Sequence, residues 1–532
     1  MDVDNNSAHS AQSSEYDISH HSFELETNVK KTGNAVWKAL SPKYKDRLYY
    51  KILKTSDPKG LVTTWINSYT LDNDKAIIDL LQLFIDLCSY QHINLHNYLE
   101  HHELTEVVPR MESSLSAALK ETGKYLLKVR QKTFTDKHLK IEQFIAIWIH
   151  ISAMDTILFD CIMIVKCLKF LIYMAKSKLK SIRHTGTFLG VKIQTALIRL
   201  NSKMTKKIQQ YREQLLNETN TNRANLLENK LANVLSRYEH VNKLIEVLHI
   251  NIYTENYCFL DSQLFTMRQD CVSEIYYWVN YFPDRYLQNN SISYVTKSIT
   301  DPHKLVRYTA VKILSDILET YHIQLEKKLP KYITVISGRI QDIDHKIAIL
   351  AIDSLTKIST YTKIPPSIRD IILQRIYSNQ YPLAEAAGRF LVQSIKLHDV
   401  NDDIKILYML VQFEIVSNKD QKFSGLYPLL VEAVFDDMPM LQDINVYMSV
   451  LQRFELDELE RKMFLNILTE SVYQTYTGNC SLVRKFARKG NVCEIKSAQL
   501  TKDLLAVLPR LVEIYPLDTL QPLLVIIKKY KV

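Results

Sequence analysis

Two ten-residue stretches, DPHKLVRYTA at residues 301–310 and DIDHKIAILA at residues 342–351, share one pattern. In each, an Asp is followed five residues later by Val or Ile and nine residues later by Ala, and an apolar helical pattern continues beyond it. The two stretches begin 41 residues apart. Self-similarity at a period near forty residues is typical of stacked helical hairpins. The pattern therefore predicts an all-α solenoid.

Each position of this repeat has a predicted role, as in HEAT-type units. We expect the Asp to cap the second helix of a hairpin, because a carboxylate accepts hydrogen bonds from the free N–H groups of a first helical turn. The Ala is small enough to let that helix pack closely on its neighbour. A third copy, PLAEAAGRFL at residues 382–391, keeps only the small residues Ala384, Ala387 and Gly388.

The composition supports a helical protein without catalytic chemistry. Only ten of the 532 residues are Gly, whereas strand-rich folds and phosphate-binding loops use this residue freely. No catalytic or metal-binding motif is present, so we expect no enzyme, no cofactor and no metal. The seven Cys are scattered, as expected in a reducing compartment such as the nucleus or cytoplasm. The apolar run from Phe144 to Met174 contains five charged or His residues and predicts a buried helical hairpin rather than a membrane span.

The run from Cys161 to Arg212 is strongly basic. It contains twelve Lys or Arg and no Asp or Glu, in a chain whose net charge is +9. Its apolar residues recur every three or four positions, so it predicts amphipathic helices with a basic face. That face either binds a polyanion or is a solvated surface balanced by acids of neighbouring helices. Within the run, Ile182–Arg183 repeats the pair Val306–Arg307.

Two further segments have alternative interpretations. Residues 200–255 lack Pro and Gly and predict a long protruding helix or hairpin, in which Asn217–Asn222 forms either a turn or a polar helix face. The aromatic run YYWVNYF spans residues 276–282. Trp278 and its neighbours belong either to a helix core or to a partly exposed anchor for a partner peptide. The isolated His150 has no partner at ligand spacing and is interpreted as a surface or core histidine.

Several segments, in the same order along the chain, resemble the cohesin SA/STAG (stromalin) family. These are WINSYTLDNDKAIIDLLQLF at 65–84, SIRHTGTFLGVKIQTAL at 181–197, RQDCVSEIYYW at 268–278 and PLAEAAGRFL at 382–391. The resemblance covers roughly residues 50–400. The residues that match the family's stromalin-domain patterns are Arg183, His184, Thr185, Thr187, Lys192, Thr195, Ala196, Leu197, Arg268, Cys271, Glu274, Ile275 and Trp278.

The resemblance implies a non-catalytic HEAT-repeat scaffold of the cohesin complex. Such a subunit binds a kleisin, and through it the SMC subunits, and also double-stranded DNA or chromatin and cohesin regulators with aromatic peptide motifs. It implies nuclear, chromosome-associated localisation and a role in sister-chromatid cohesion or in chromosome pairing and segregation. The chain has about half the family's usual length, which predicts a specialised, meiotic member. The alternative is a helical-repeat protein-interaction adaptor that does not bind DNA directly.

Site residues and domain bounds follow from the basic run and the resemblance. We expect partial exposure of the Trp, since the resemblance implies peptide docking there. The predicted DNA-binding residues are Lys176, Lys178, Lys180, Arg183, Lys192, Lys203, Lys206 and Lys207, and the predicted peptide-binding residues are Trp278, Tyr281 and Glu274. The predicted regions are a disordered tail (1–45), an N-terminal helical region (46–160), the stromalin conservative domain with its long helices at 200–255 (161–310), HEAT-like repeats (311–400) and C-terminal helical repeats (401–532).

Overall fold

The structure is a computed structural model. It describes residues 44–88, 93–100, 103–112, 127, 132–255, 264–288, 291–398, 402–418, 423–486 and 494–530. Residues 1–43 of the predicted tail lie outside this part of the chain. The described residues are predominantly helical and contain no β-strand, apart from one bridge between Gln380 and Phe486. The all-α prediction is therefore confirmed.

Many consecutive helices are joined by only a few residues, whereas residues 478–493 separate the helix Glu458–Thr477 from the helix Glu494–Ile514. Residues 104–112 are also helical, and a π-helical turn, His249–Thr254, extends the second of the two long helices. The numbered helices are α1 (Leu48–Lys54), α2 (Pro58–Leu71), α3 (Asn73–Leu87), α4 (Leu95–Leu99), α5 (Lys132–Met154), α6 (Met163–Ala175), α7 (Lys180–Asn217), α8 (Thr221–Leu248), α9 (Phe265–Tyr281), α10 (Pro283–Tyr286), α11 (Ser291–Ser298), α12 (Lys304–Tyr321), α13 (Leu329–Ser337), α14 (His345–Ser359), α15 (Pro366–Leu373), α16 (Tyr381–His398), α17 (Asp403–Asn418), α18 (Tyr427–Val434), α19 (Ile444–Arg453), α20 (Glu458–Thr477), α21 (Glu494–Ile514) and α22 (Leu517–Tyr530).

The second helices of successive repeats stack on one another. Each member of the series α9, α12, α14, α16 and α18 packs against the next. The repeat position predicted to be small is fully buried in α12, α14 and α16, where it is Ala310, Ala351 and Ala387. One helical hairpin cannot cover its own apolar face. Each repeat buries that face by stacking on the next repeat. The HEAT-like solenoid is confirmed.

Two glycines show how close this packing is. A Cβ atom on Gly388 would lie 2.1 Å from the backbone oxygen of Ala433 in α18. A Cβ atom on Gly186 in α7 would lie 2.6 Å from the Cβ of Met174 in α6. Both distances are shorter than van der Waals contact, so no larger side chain fits without moving a helix. The predicted packing role of Gly388 is confirmed.

The predicted capping role of the repeat Asp is wrong. The N-caps of α12 and α14 are His303 and Asp344, which accept hydrogen bonds from the N–H groups of Leu305 and Lys346. Asp301 and Asp342 lie two residues earlier, and each accepts a hydrogen bond from the N–H of the cap residue. Both carboxylates are buried against arginines of the preceding repeat. Each carboxylate therefore fixes the loop before the helix, and the residue two positions later caps the helix itself.

The long hairpin is present, and it has a turn. Helix α7 is 38 residues long, about 57 Å at 1.5 Å per residue. It ends at Asn217, and Asn220 caps α8. The fully buried residues of α7 end at Ile208 and those of α8 begin at Val241, so the outer part of the hairpin protrudes from the core.

The apolar run at 144–174 forms two buried helices. Phe144 and Trp148 in α5 and Phe170 and Met174 in α6 are each at most 1% exposed. Helix α5 packs against both α2 and α7, and α6 packs mainly against α7; α5 and α6 hardly contact each other. None of the helices in the described ranges is long and apolar enough to cross a membrane.

Candidate nucleic-acid interface

Lys192 does not lie on the basic face, contrary to its prediction as a DNA-binding residue. Its Nζ is 2.6 Å from Oε1 of Glu274 in α9 and 2.9 Å from Oε1 of Glu142 in α5. The Lys192 side chain is 17% exposed and that of Glu274 only 2%. Burial alone would lower the pKa of Lys192, but the two carboxylates outweigh it and raise this pKa. Lys192 therefore links α7 to α5 and α9 through two salt bridges.

Trp278 belongs to the same buried network, so its predicted partial exposure is wrong. The side chain is 0% exposed. Its Nε1–H donates to Oγ1 of Thr195 at 2.7 Å, and Thr195 donates to Oε2 of Glu274 at 2.6 Å. The indole packs edge-on against Tyr253, with ring centres 4.8 Å apart. A Trp whose N–H has a partner within the protein can be buried completely, and this one joins α9 to α7.

Tyr281 alone of the three predicted peptide-binding residues reaches the surface. It is partly exposed at the end of α9. The guanidinium of Arg199 in α7 lies over its ring, 5.7 Å from the ring centre. This cation–π contact places an aromatic surface beside a basic one.

Arg183 holds the turn before its own helix. Its Nη1 donates to the carbonyl oxygen of Ser177 at 3.0 Å and to that of Lys178 at 3.5 Å. Arg307 makes the same two bonds, to the carbonyls six and five residues before it, both at 3.0 Å. The two arginines therefore correspond in structure as well as in sequence. The Nη1 group of Arg183 is engaged by carbonyl oxygens of the preceding turn.

The lysines at the start of α7 are exposed. Lys176, Lys178 and Lys180 all lie at the surface near the junction of α6 and α7. Lys176 forms a salt bridge of 3.3 Å with Glu255, and both side chains are about half exposed. An exposed pair of this kind contributes about 0–1 kcal/mol, so phosphate could displace it readily.

Lys203 and Lys207, in the second half of α7, belong to a larger cluster. Lys203, Lys206 and Lys207 are exposed, and Arg199 lies one turn before Lys203. Burial, Arg199 and Lys207 lower the pKa of Lys203. Burial also lowers the pKa of His150 in α5, as do four cations: Lys203, Arg199, Lys207 and Lys59. We call Lys59, His150, Arg199, Lys203 and Lys207 the basic cluster.

Cations dominate the surroundings of the basic cluster. The charged groups with the largest effect on the pKa of His150 and of Lys203 are Lys or Arg side chains. Among the described residues, Lys59, Lys203 and Lys207 form no salt bridge with a carboxylate. Like charges gathered from α2, α5 and α7 produce a positive potential that favours an anionic ligand.

Sequence reasoning missed three members of this cluster. Arg199 lies four residues before Lys203 in the basic run and could have been identified from that spacing. Lys59 and His150 come from helices more than 40 residues away in the sequence, and no local pattern points to them. His150 had been interpreted as an isolated histidine, but the fold surrounds it with cations.

The two lysine groups of α7 do not form one patch. Lys180 and Lys203 are 23 residues apart on one helix, which is about 35 Å along the axis and about 140° around it. A single phosphate group cannot contact both. About one turn of B-form DNA would be needed to span the distance between them.

Among the described residues, no group of three or more His, Cys, Asp or Glu could hold a metal ion. The candidate interface is built from the side chains of Lys, Arg and His. It offers charge, a few hydrogen-bond donors and the neighbouring Tyr281, and these features suit a phosphate backbone better than the edge of a base.

Comparison with known protein families adds a second line of information. The model of the STAG domain matches residues 123–237, and that of the Stromalin conservative domain matches residues 263–334. In these two regions the chain resembles the SA/STAG family of cohesin subunits. The segment 181–197 lies in the first match and the segment 268–278 in the second, so the buried Lys192–Glu274 contact joins the two matched regions.

Curated SA/STAG proteins are similar over most of this chain. Cohesin subunit scc-3 of Caenorhabditis elegans is 24% identical over 490 residues, which are 86% of this chain and 43% of the relative. Cohesin subunit SA-3 of Homo sapiens is 20% identical over 504 residues, 87% of this chain and 40% of the relative. The chain thus spans about two fifths of the length of these relatives.

A solved SA/STAG structure has the same fold. Cohesin subunit Scc3 from Z. rouxii superposes with a TM-score of 0.71 at 14% identity, covering 90% of this chain and 59% of that one. At this level of identity the likeness concerns the fold alone. This similarity agrees with the helical solenoid described above, whose helices α2, α5 and α7 carry the basic cluster.

Proposed function

We propose that this chain is a non-catalytic scaffold subunit of a cohesin-type complex in the nucleus, supporting sister-chromatid cohesion or chromosome segregation. The two matched domains, the similarity to cohesin SA subunits and the solenoid support this role. A stack of helical repeats offers long surfaces on which several partners bind at once. The partners we propose are a kleisin subunit, through it the SMC subunits, and double-stranded DNA.

The basic cluster carries the DNA part of the proposal. It gathers Lys59, Arg199, Lys203 and Lys207 around the half-buried His150. A duplex placed on it would exchange condensed counterions for these side chains, which supplies affinity without base recognition. Lys206 lies beside the cluster on α7. The exposed Lys176, Lys178 and Lys180 face a different side of that helix, and we propose them as a second, separate contact site for DNA.

Two of the originally predicted residues have other roles in this proposal. Lys192 and Arg183 are structural, because their donors are engaged inside the protein. A regulator peptide with an aromatic residue would meet Tyr281 and Arg199 at the surface rather than the buried Trp278. DNA and such a peptide would then compete for Arg199.

The DNA proposal is tested with fluorescent 30-base-pair duplexes of two unrelated sequences. We expect both to bind with equal affinity and with a strong decrease in affinity as salt rises from 50 to 200 mM, since six phosphate contacts cost about a thousandfold over that range. No binding at 50 mM salt, or a marked preference for one sequence, would contradict the proposal.

The cohesin part is tested by immunoprecipitation from germline and somatic cells, with and without nuclease. Recovery of a kleisin that survives nuclease supports direct assembly. Loss of the kleisin after nuclease would show that DNA bridges the two proteins. Absence of any kleisin from both tissues contradicts the scaffold role, and recovery from germline alone supports a meiotic function.

A further inference from the structure

An extended segment, residues 479–486, crosses the surface of the C-terminal repeats. Gly478 ends α20 in the left-handed conformation, with φ of 70°, which turns the chain back. The next eight residues, NCSLVRKF, form no helix. They lie across α18, α20 and the turn at 378–381. We call this segment the strap.

The strap is held by one buried arginine. Arg484 is 2% exposed, and its partner Glu432 in α18 is 1% exposed. Nε of Arg484 donates to Oε2 of Glu432 at 2.5 Å, and Nη2 donates to the backbone oxygen of Leu429 at 2.6 Å. Nη1 donates to the backbone oxygen of Ser378. All three guanidinium nitrogens therefore have acceptors, an arrangement that fits the planar fork of Arg and not the point charge of Lys.

Two further contacts fix the direction of the strap. The N–H and Oγ of Ser481 donate to the two carboxylate oxygens of Glu470, which is 3% exposed, at 3.0 and 2.5 Å. Phe486 pairs by its backbone with the turn at 378–381. Its N–H donates to Asn379 at 3.2 Å, and its oxygen accepts from Tyr381 at 3.0 Å.

Other side chains of the strap point away from the protein. Val483 is 90% exposed, Phe486 52% and Leu482 38%, although all three are large and apolar. The groove thus recognises a serine, an arginine three residues later and a stretch of backbone. Proteins bind extended peptides in this way, through main-chain hydrogen bonds and pockets for selected side chains.

We propose that this groove is a binding site for an extended, arginine-anchored peptide, and that the chain's own strap occupies it and keeps it closed. The partner it fits is a segment with Ser or Thr three residues before Arg. The groove cannot stay empty at low cost, because the buried Glu432 would lose the guanidinium of Arg484 and the buried Glu470 would lose both donors of Ser481 and keep Gln474. The strap and a partner's peptide therefore compete for the same groove, and only one of them is bound at a time. This inference does not depend on DNA binding.

The tether gives the strap an advantage. A segment joined to its site by a short linker has an effective concentration in the millimolar range. In the wild-type chain, a free peptide displaces the strap only when its concentration exceeds this effective concentration. In a chain whose strap has lost its anchor, a lower peptide concentration is sufficient. Arg484→Ala in the full chain removes the anchor and leaves the groove residues unchanged.

The test uses a fluorescent peptide with the sequence of residues 478–486, GNCSLVRKF, under reducing conditions. We expect it to bind the Arg484→Ala chain at least tenfold more tightly than the wild-type chain. The same peptide with Lys in place of Arg should bind at least tenfold more weakly. Equal binding to both chains, equal binding of both peptides, or no binding to a variant shown to be folded by circular dichroism would overturn the proposal.

Hydrogen exchange in the wild-type chain provides a measurement that does not rely on the variant. We expect the amides of Ser481, Tyr381 and Phe486 to exchange together, through an opening that leaves the core of α20 protected. If these three amides exchange only on global unfolding, the strap does not open and the proposal is wrong, whether or not Arg484→Ala folds.

Discussion

Arg268 in α9 and Asp301 in the loop before α12 form a buried, two-pronged ion pair across the boundary between repeats. Nε and Nη2 of the arginine donate to the two carboxylate oxygens at 2.6 and 2.8 Å. Arg307 forms the same pair with Asp342 in the next repeat, at 2.8 and 2.9 Å. The repeat Asp that the sequence marked so clearly is thus the acceptor of an inter-repeat bond.

Breaking this pair should destabilise the solenoid. Arg268→Ala leaves the Asp301 carboxylate, whose side chain is 1% exposed, without its partner. Removal of one member of a buried pair typically costs about 3–5 kcal/mol. We expect a loss of that size in the free energy of unfolding, measured by urea denaturation at pH 7.

The exposed pair Lys357–Glu319 is the matched control. Its side chains are 55% and 52% exposed, at a distance of 2.7 Å, so Lys357→Ala should cost less than about 1 kcal/mol. Similar losses in the two variants would show that the Arg268–Asp301 pair has no special role between repeats.

Lys192→Met should impair folding and leave DNA binding intact. The variant leaves Glu142 and Glu274 facing each other without a cation, which we expect to lower stability by about 3–5 kcal/mol at pH 8. Burial raises the pKa of Glu274 above its ordinary value, so protonation relieves part of this loss at pH 5. Thermal melting at the two pH values measures the effect. If Lys192→Met melts at the wild-type temperature and binds DNA more weakly, Lys192 contacts DNA and its structural role is wrong.

Glu414 should make stability depend on pH. It is 0% exposed in α17, and burial raises its pKa from 4.5 to about 7, with the nearby Tyr377 hydroxyl lowering it only in part. Because the folded-state pKa is the higher one, its contribution to stability is complete below about pH 4.5 and is lost as the pH rises through about 7. Glu414→Gln, neutral at every pH, should therefore stabilise the chain by up to about 3 kcal/mol at pH 8.

The same substitution should change little at pH 4.5, where Glu414 is already largely protonated. Denaturation of wild type and Glu414→Gln at both pH values checks the difference. A stabilisation of equal size at pH 4.5 and pH 8 would mean that packing, and not ionisation, distinguishes the two side chains.

DNA binding at the basic cluster should take up a proton. Burial and four neighbouring cations lower the pKa of His150, so in the free protein the ring resists protonation. Bound phosphate would favour the imidazolium form. We expect wild-type affinity for duplex DNA to increase by up to about tenfold between pH 7.5 and pH 5.5 relative to His150→Gln, one pKa unit being a factor of ten.

His345→Gln, at an exposed position at the start of α14, serves as the control and should keep the wild-type pH profile. The profile comes from fluorescence anisotropy at constant ionic strength. If His150→Gln keeps the same profile as wild type, His150 does not take part in the interface.

The fold could largely be predicted from the sequence because its signals are local and periodic. The spacing from Asp301 to Ala310 repeats 41 residues on, and each copy forms a hairpin with a small residue at the packing position. The role of Asp301 could not be predicted in the same way. Its partner Arg268 lies 33 residues earlier, and a local pattern cannot distinguish a capping Asp from a buried one.

The candidate site was predicted less completely. The exposed Lys203, Lys206 and Lys207 were correctly placed on a basic face, because one helix carries all three. Lys192 belongs to the same helix, but its environment is set by Glu142 and Glu274 on two other helices. The positions of Lys59 and His150 beside Lys203 likewise depend on how α2, α5 and α7 pack, which a charge run alone does not specify.

The salt dependence of duplex binding tests the basic cluster most directly. The variant Lys203→Glu with Lys207→Glu is compared with Lys327→Glu and Lys331→Glu, which make the same charge change on exposed lysines of the 326–337 helical segment. We predict that the first variant weakens binding at least tenfold and reduces the slope of log K against log salt by about 2, one per phosphate contact. The control pair should leave the slope unchanged. Equal slopes and affinities for the cluster variant and the wild type would show that the basic cluster does not contact DNA.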